Sequence, residues 1–97
     1  MEYTHLTQEE MDDHIAEGIR GRQLEHFHHS VNVANYAAML KTLPKGPWRD
    51  RIQQLHDEGL AEMEKVEGLH DALVAQIPTA RLADAKARTA AKRAALG

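Results

Sequence analysis

The longest uninterrupted helical pattern in this chain runs from Pro47 to Ile77, and it sets the architecture. At about 1.5 Å per residue, one helix over this range would be roughly 46 Å long. Its apolar residues fall on one side of the helix: Ile52, Leu55, Gly59, Met63, Val66, Leu73, Val74 and Ile77. Two histidines interrupt that side, because His70 lies at its centre and His56 lies near it. The stretch predicts an amphipathic helix that packs against a neighbour and carries imidazoles in its apolar side.

Residues 22–42 predict a second long helix that is apolar on two sides. One side carries Leu24, Phe27, Val31, Ala34 and Ala38, and the other carries Val33, Tyr36 and Leu40. Between the two helices, Pro44 stops the first, Gly46 permits a turn and Pro47 suits the first position of the next. Because this connection is short, the sequence predicts an antiparallel helical hairpin. A helix with two apolar sides needs more than one neighbour, so we also expect self-association.

A capping pattern predicts a short N-terminal helix at about residues 8–19. Thr7 and Glu10 have the spacing of a capping box, in which each side chain bonds the other residue's backbone N–H. The apolar residues of this helix form a narrow stripe of Met11, Ile15 and Ile19. Gly18 and Gly21 predict a break before the second helix.

The last segment, residues 79–97, predicts a basic, alanine-rich helix or tail outside a helical domain of residues 1–78. It has strong helix formers throughout, but its large apolar residues are only Leu82 and Leu96. The segment is therefore expected to be poorly anchored by packing. It carries five basic residues and one acid, whereas residues 1–20 carry six acids and one base. The two ends of the chain could therefore pair by charge.

Composition narrows the function classes. The chain has 97 residues, which predicts one domain, and only 26 of them are large apolar residues. It has no cysteine, which excludes disulfides, thiolate metal sites and cysteine nucleophiles. No apolar run has membrane length and the N-terminal residues are acidic, so we expect a cytoplasmic protein without a membrane partner.

The clearest chemical pattern is a pair of Glu-x-x-His motifs, formed by Glu25 with His28 and by Glu67 with His70. Residues three apart lie on the same side of a helix, so each motif can present a carboxylate and an imidazole to one ion. In the predicted hairpin, facing residues have numbers that sum to about 91. The residue numbers of Glu25 and His70 sum to 95, and so do those of His28 and Glu67. This register places the two motifs opposite each other with an axial shift of about 3 Å.

These four residues and the hairpin resemble the ligand set of ferritin-like di-iron bundles. The resemblance implies an iron or zinc cofactor and oxidase-type activity, with further glutamates from other helices. The other interpretation is that His28 and His70 are structural histidines of the core, each bonded to a carboxylate or a carbonyl. The structural interpretation is favoured, because Glu and His are frequent in this chain.

Nucleic-acid binding is a third interpretation, based on the basic side chains of the last segment: Arg81, Lys86, Arg88, Lys92 and Arg93. No aromatic residue accompanies them to stack on bases, so an acidic partner or solvent is a simpler explanation for their charge. As a short chain rich in Ala, Arg and His, the protein is similar to small accessory proteins of bacteriophages or mobile elements.

Taken together, the sequence predicts an all-α, non-enzymatic protein–protein interaction module without a cofactor. Its expected partners are a second copy of itself, in a dimer or larger assembly, and another protein. The residues predicted to bind a partner are Val33, Tyr36, Leu40 and Trp48. The alternatives are the carboxylate–histidine metal bundle and, third, weak nucleic-acid association through the basic segment.

Overall fold

The computed structural model describes residues 6–97, which form three α-helices and no strand. Helix α1 spans Gln8–Leu40, α2 spans Pro47–Val74 and α3 spans Thr79–Leu96. The prediction of an all-α fold is confirmed. The described residues divide into two compact units: unit 1 combines residues 6–21 with His70–Gly97, and unit 2 is Arg22–Leu69. This grouping differs from the predicted division at residue 78, because α3 packs with the beginning of α1.

Helix α1 corrects the prediction of two separate helices at residues 8–19 and 22–42. It continues through Gly18 and Gly21, and neither glycine has a positive φ. A glycine inside a helix costs about 1 kcal/mol relative to alanine, which is too little to end a helix that packing supports. The support is visible at Ile19, which is fully buried, and at Gly18, which packs against Leu73 of α2. The helix also ends at Leu40, two residues earlier than predicted.

The predicted capping box is present at the start of α1. The Glu10 backbone N–H donates to Thr7 Oγ1 at 3.1 Å, and the Thr7 N–H donates to Glu10 Oε1 at 2.9 Å. The backbone hydrogen bond from Thr7 lowers the pKa of the Glu10 carboxyl, because it favours the charged form. The side chains at this end therefore fix where α1 begins.

Unit 2 is the predicted hairpin of α1 and α2. At the connection, Gly46 has φ of 151°, a conformation that is essentially restricted to glycine. The Arg49 side chain donates from Nη1 to the carbonyls of Leu40 and Leu43, both at 2.9 Å, and so closes the end of α1. Ile52 and Val66 of α2 are buried within this hairpin. These contacts fix the two helices side by side in antiparallel order.

Unit 1 contains the main apolar cluster of the chain. Its buried members are Ala16, Ile19, Ile77, Leu82 and Ala85, with Ile15 and Leu73 packed against them. Helix α2 ends at Val74 rather than at Ile77, because a turn at residues 75–77 turns the chain into α3 and leaves Ile77 in the cluster. Pro78 favours this end, since a residue before proline avoids helical geometry. Helix α3 is thus anchored by packing, which corrects the expectation of a poorly anchored tail.

Candidate interaction surface

The largest line of exposed apolar side chains in unit 2 lies on α1. Leu24 is 52% exposed, Phe27 is 67% exposed and Val31 is 41% exposed. Spacings of three and four residues place them on one side of the helix, and the exposed Ala34 and Ala38 extend the same line. We call these five residues the α1 stripe. An exposed phenylalanine within an apolar line is the kind of surface that proteins use for contact with a partner.

The surroundings of the α1 stripe carry almost no charge. Between Gln23 and Leu40 the only Asp, Glu, Lys or Arg residue is Glu25, about 100° around the helix from Leu24. Glu25 accepts a hydrogen bond from Arg22 at 2.6 Å, so its charge is balanced locally. The side chains that border the stripe, such as His28 and Asn35, are polar and exposed. A stripe with this border suits a partner that also lacks charge.

The opposite side of α1 contains three of the four residues predicted to bind a partner. Val33, Tyr36 and Leu40 are half-buried, whereas Trp48 is 60% exposed. Val33 lies against Gly59 of α2, so this side of α1 is used for packing within the hairpin. The sequence favoured Val33, Tyr36 and Leu40 as the partner surface, whereas the structure uses Val33 within the hairpin and leaves the α1 stripe exposed.

The residues predicted to bind a metal have other partners. Glu67 Oε1 lies 2.8 Å from His26 Nε2, which makes a hydrogen bond between α2 and α1. His70 Nδ1 lies 3.2 Å from the neighbouring Asp71 Oδ1, Glu25 is paired with Arg22, and the His28 side chain is exposed. Within residues 6–97, no group of three or more His, Cys, Asp or Glu side chains is arranged to hold a metal ion. Metal binding therefore stays a prediction.

Sequence reasoning missed His26, although a signal for it was present. The numbers of His26 and Glu67 sum to 93, closer to the predicted 91 for facing residues than the sums of 95 in the two motifs. The numbers of Val33 and Gly59, which are in contact, sum to 92. The hairpin register therefore favours His26 over His28 as the partner of Glu67.

The basic side chains of α3 pair with the acidic beginning of α1 inside unit 1. Arg88 Nη2 lies 2.7 Å from Asp13 Oδ1, and Arg81 Nε lies 3.0 Å from Asp12 Oδ2. Lys92 reaches Asp13 at 3.3 Å, and Arg93 pairs with Glu17. The Arg88 guanidinium lowers the pKa of the Asp13 carboxyl, and Asp13 in turn raises the pKa of Arg88.

These pairs change the interpretation of the basic segment. Four of the five side chains predicted to contact nucleic acid have a carboxylate partner in the same unit, and Lys86 is exposed. A groove of about 370 Å³ beside the pairs is lined by side chains of both charges: Glu10, Asp13, His14, Glu17, Thr89, Lys92, Arg93 and Leu96. A nucleic acid would have to displace carboxylates to reach most of these cations.

Comparison with protein-family models, with curated proteins and with solved structures gives no match to this chain. Across residues 6–97, the helices lack an apolar stretch of the length needed to cross a membrane.

Proposed function

We propose that this protein is a small, non-enzymatic helical interaction module that associates with itself through the α1 stripe. The observation that carries the proposal is the exposure of Phe27, 67% accessible, in line with Leu24 and Val31. A large aromatic side chain at the centre of an exposed apolar line is the usual anchor of a protein interface. The stripe lies on a helix that the hairpin already holds in place, so little ordering is needed before binding.

The size of the stripe supports a specific but weak contact. The exposed fractions of its three large side chains correspond to roughly 300 Å² of apolar surface per chain, since such side chains expose about 150–200 Å² each. That area is comparable with the largest apolar patch on many monomers, about 300–600 Å², which is often functional. Removing it from water favours association by about 25 cal/mol per Å² before the cost of binding is counted. We therefore expect association at micromolar rather than nanomolar concentrations.

The electrostatics support binding rather than catalysis as the primary role. Three carboxyl groups have lowered pKa values, namely Glu10, Asp13 and Asp57. Each shift has a local structural cause: the backbone of Thr7, the side chain of Arg88 and the side chain of His56, respectively. Glu10 caps α1, Asp13 pairs α1 with α3, and Asp57 bonds neighbouring side chains of α2, so these groups do not converge on one enclosed site as catalytic groups do.

The test is the mass of the protein in solution. Sedimentation or light scattering of the wild type at micromolar concentrations should show twice the chain mass of 10.9 kDa. Phe27→Glu should return the protein to the single-chain mass, because a buried carboxylate at the interface has no partner. The control is Leu96→Glu, which places the same charge on α3 at a side chain that is 90% exposed and outside the stripe.

This control should dimerise like the wild type. Both variants should keep the helical circular dichroism of the wild type, because both positions are exposed. At a chain concentration of about 100 µM, a dimer with an association free energy of about −5.5 kcal/mol is half-populated. A wild type that keeps the single-chain mass up to this concentration would contradict the proposal.

A further inference from the structure

The side chains of the α1 stripe decrease in size along the helix. Leu24 and Phe27 are large, Val31 is intermediate, and Ala34 and Ala38 are small. Val31 lies midway between Leu24 and Ala38 in the sequence, and within half a residue of midway between Phe27 and Ala34. The stripe is therefore complementary to itself when one copy is reversed about Val31.

We infer that two copies of this chain pair in antiparallel order along their α1 stripes, with a two-fold axis at Val31. This inference rests on the proposed function and defines the partner and its orientation. Leu24 of one copy then lies opposite Ala38 of the other, Phe27 lies opposite Ala34, and the two Val31 side chains meet. Every large side chain faces a small one, so the helices approach closely along the whole stripe.

Packing distinguishes this arrangement from a parallel one. In a parallel pair, Phe27 would face Phe27 and Ala38 would face Ala38, so the helices would be held apart at one end and leave a gap at the other. Protein interfaces reach the packing density of interiors, and gaps forfeit the contacts that stabilise them. Packed helices are about 8–10 Å apart, a distance that alanine opposite phenylalanine allows.

Charge and area favour a second copy as the occupant. Because the five residues of the stripe carry no formal charge, a charged partner gains nothing along the stripe itself, and a second copy meets no repulsion between these residues. The large side chains of two copies provide roughly 600 Å², to which the alanines and the polar border add, so the contact belongs to the class of weak interfaces below about 1,200 Å². A two-fold contact uses the stripe of both copies at once and closes at a dimer.

The absence of cysteine from the sequence allows a direct test by disulfide formation. Val31→Cys should form a disulfide-linked dimer under mild oxidation. A disulfide requires a distance of about 4.4–6.8 Å between the two Cα atoms, and two copies of a residue on the two-fold axis meet this requirement. Leu24→Cys alone should remain largely unlinked, since its two copies would be about 21 Å apart along the helices. A mixture of Leu24→Cys and Ala38→Cys should give the mixed disulfide in preference to either homodimer.

The outcomes separate this inference from the proposed function. If the wild type has the mass of a dimer but Leu24→Cys links to itself as fast as Val31→Cys does, the orientation is parallel and the inference is overturned. If the wild type is a dimer and Val31→Cys does not link, the contact lies elsewhere and the inference is again overturned, while self-association stands. If the wild type is a monomer in sedimentation, the proposed function itself fails.

Discussion

Gly59 shows how a single residue sets the distance between α1 and α2 in the hairpin. A Cβ at this position would lie 2.6 Å from Val33 Cγ2, closer than carbon atoms in proteins approach. Valine in a helix keeps one χ1 rotamer in about 90% of cases, so its methyl group cannot easily turn away. The helices would have to separate to admit any larger residue at position 59. The hairpin therefore depends on the absence of a side chain there.

We predict that Gly59→Ala lowers the free energy of unfolding by about 1–3 kcal/mol, the usual cost of overpacking, although alanine is the better helix former. The matched control is Gly68→Ala on the same helix, where an added Cβ meets nothing within 4 Å. That change should raise the free energy of unfolding by about 0.5–1 kcal/mol through helix propensity alone. Urea denaturation followed by circular dichroism measures both. Equal stabilisation by the two alanines would show that Val33 does not limit the helix spacing.

Among the elements, the hairpin was predictable from sequence and the continuity of α1 was not. Pro44, Gly46 and Pro47 have local conformational preferences that end one helix and begin another whatever the rest of the chain does. Gly18 and Gly21 have only weak preferences against helix, and packing around Ile19 outweighs them. The anchoring of α3 was missed for a similar reason. One leucine and one alanine suffice as anchors once α1 provides a surface for them.

The contribution of α3 can be measured with its two leucines. Leu82 is 8% exposed and belongs to the apolar cluster, whereas Leu96 is 90% exposed. Leu82→Ala should lower the free energy of unfolding by about 2–4 kcal/mol, because it removes buried methyl groups and leaves a cavity. Leu96→Ala should change it by less than about 0.5 kcal/mol. Thermal or urea unfolding gives both values.

Hydrogen exchange provides an independent check, since amides of α3 near Leu82 and Ala85 should be protected if the helix opens only with the cluster. Rapid exchange throughout α3, together with a small effect of Leu82→Ala, would contradict the packed arrangement and return α3 to the status of a loosely attached tail.

For the whole molecule, the uneven distribution of acidic and basic residues along the sequence corresponds to a set of ion pairs in unit 1. Acidic residues near the start of the chain meet basic residues near its end, as the sequence suggested. In each of these pairs the basic side chain is partly exposed to solvent, so the pair adds little stability and salt weakens it. Their main effect is to select which surfaces meet, while the apolar cluster provides most of the stability. In the contact of Arg88 with Asp13, the guanidinium donates from Nε at 3.0 Å and from Nη2 at 2.7 Å to the same oxygen, Asp13 Oδ1.

Asp13 makes part of this stability dependent on pH. The Arg88 hydrogen bond lowers the pKa of Asp13 in the folded chain below its value of about 3.9 in an unfolded chain. The folded state therefore favours the charged carboxylate, and the stability that this adds is present above the unfolded pKa and lost as pH falls through the folded pKa. Asp13→Asn should be less stable than the wild type at pH 6, and the difference should shrink below about pH 4.

Melting temperatures of both proteins between pH 2 and 6 test this prediction. The control is Glu62→Gln, which neutralises an exposed acid of α2 in the other unit. The melting temperature of Glu62→Gln should be close to that of the wild type at both pH 2 and pH 6. A difference for Asp13→Asn that stays constant down to the lowest pH would contradict the assigned role of the Arg88 contact.

The α1 stripe was partly predictable at the scale of the molecule. Its residues were identified as one of two apolar sides of the second helix, but the partner contact was assigned to the other side, which carries Val33, Tyr36 and Leu40. The choice depends on the hairpin register, in which Val33 meets Gly59 and His26 meets Glu67. Those contacts join residues distant in the sequence, so no local pattern encodes them. Once they are known, the exposure of Leu24 and Phe27 follows.

The composition of unit 1 has a consequence for the order of events during synthesis. A chain leaves the ribosome from its N-terminus, so Ile19 emerges before the hairpin, and Ile77 and Leu82, which pack in the same cluster, emerge after it. The hairpin, whose two helices are adjacent in sequence, closes a short loop and can form first. Until the last segment arrives, the apolar side of the first helical turns remains open to water or to a chaperone. Ile77, Leu82 and Ala85 thus complete an apolar cluster to which Ala16 and Ile19 also belong.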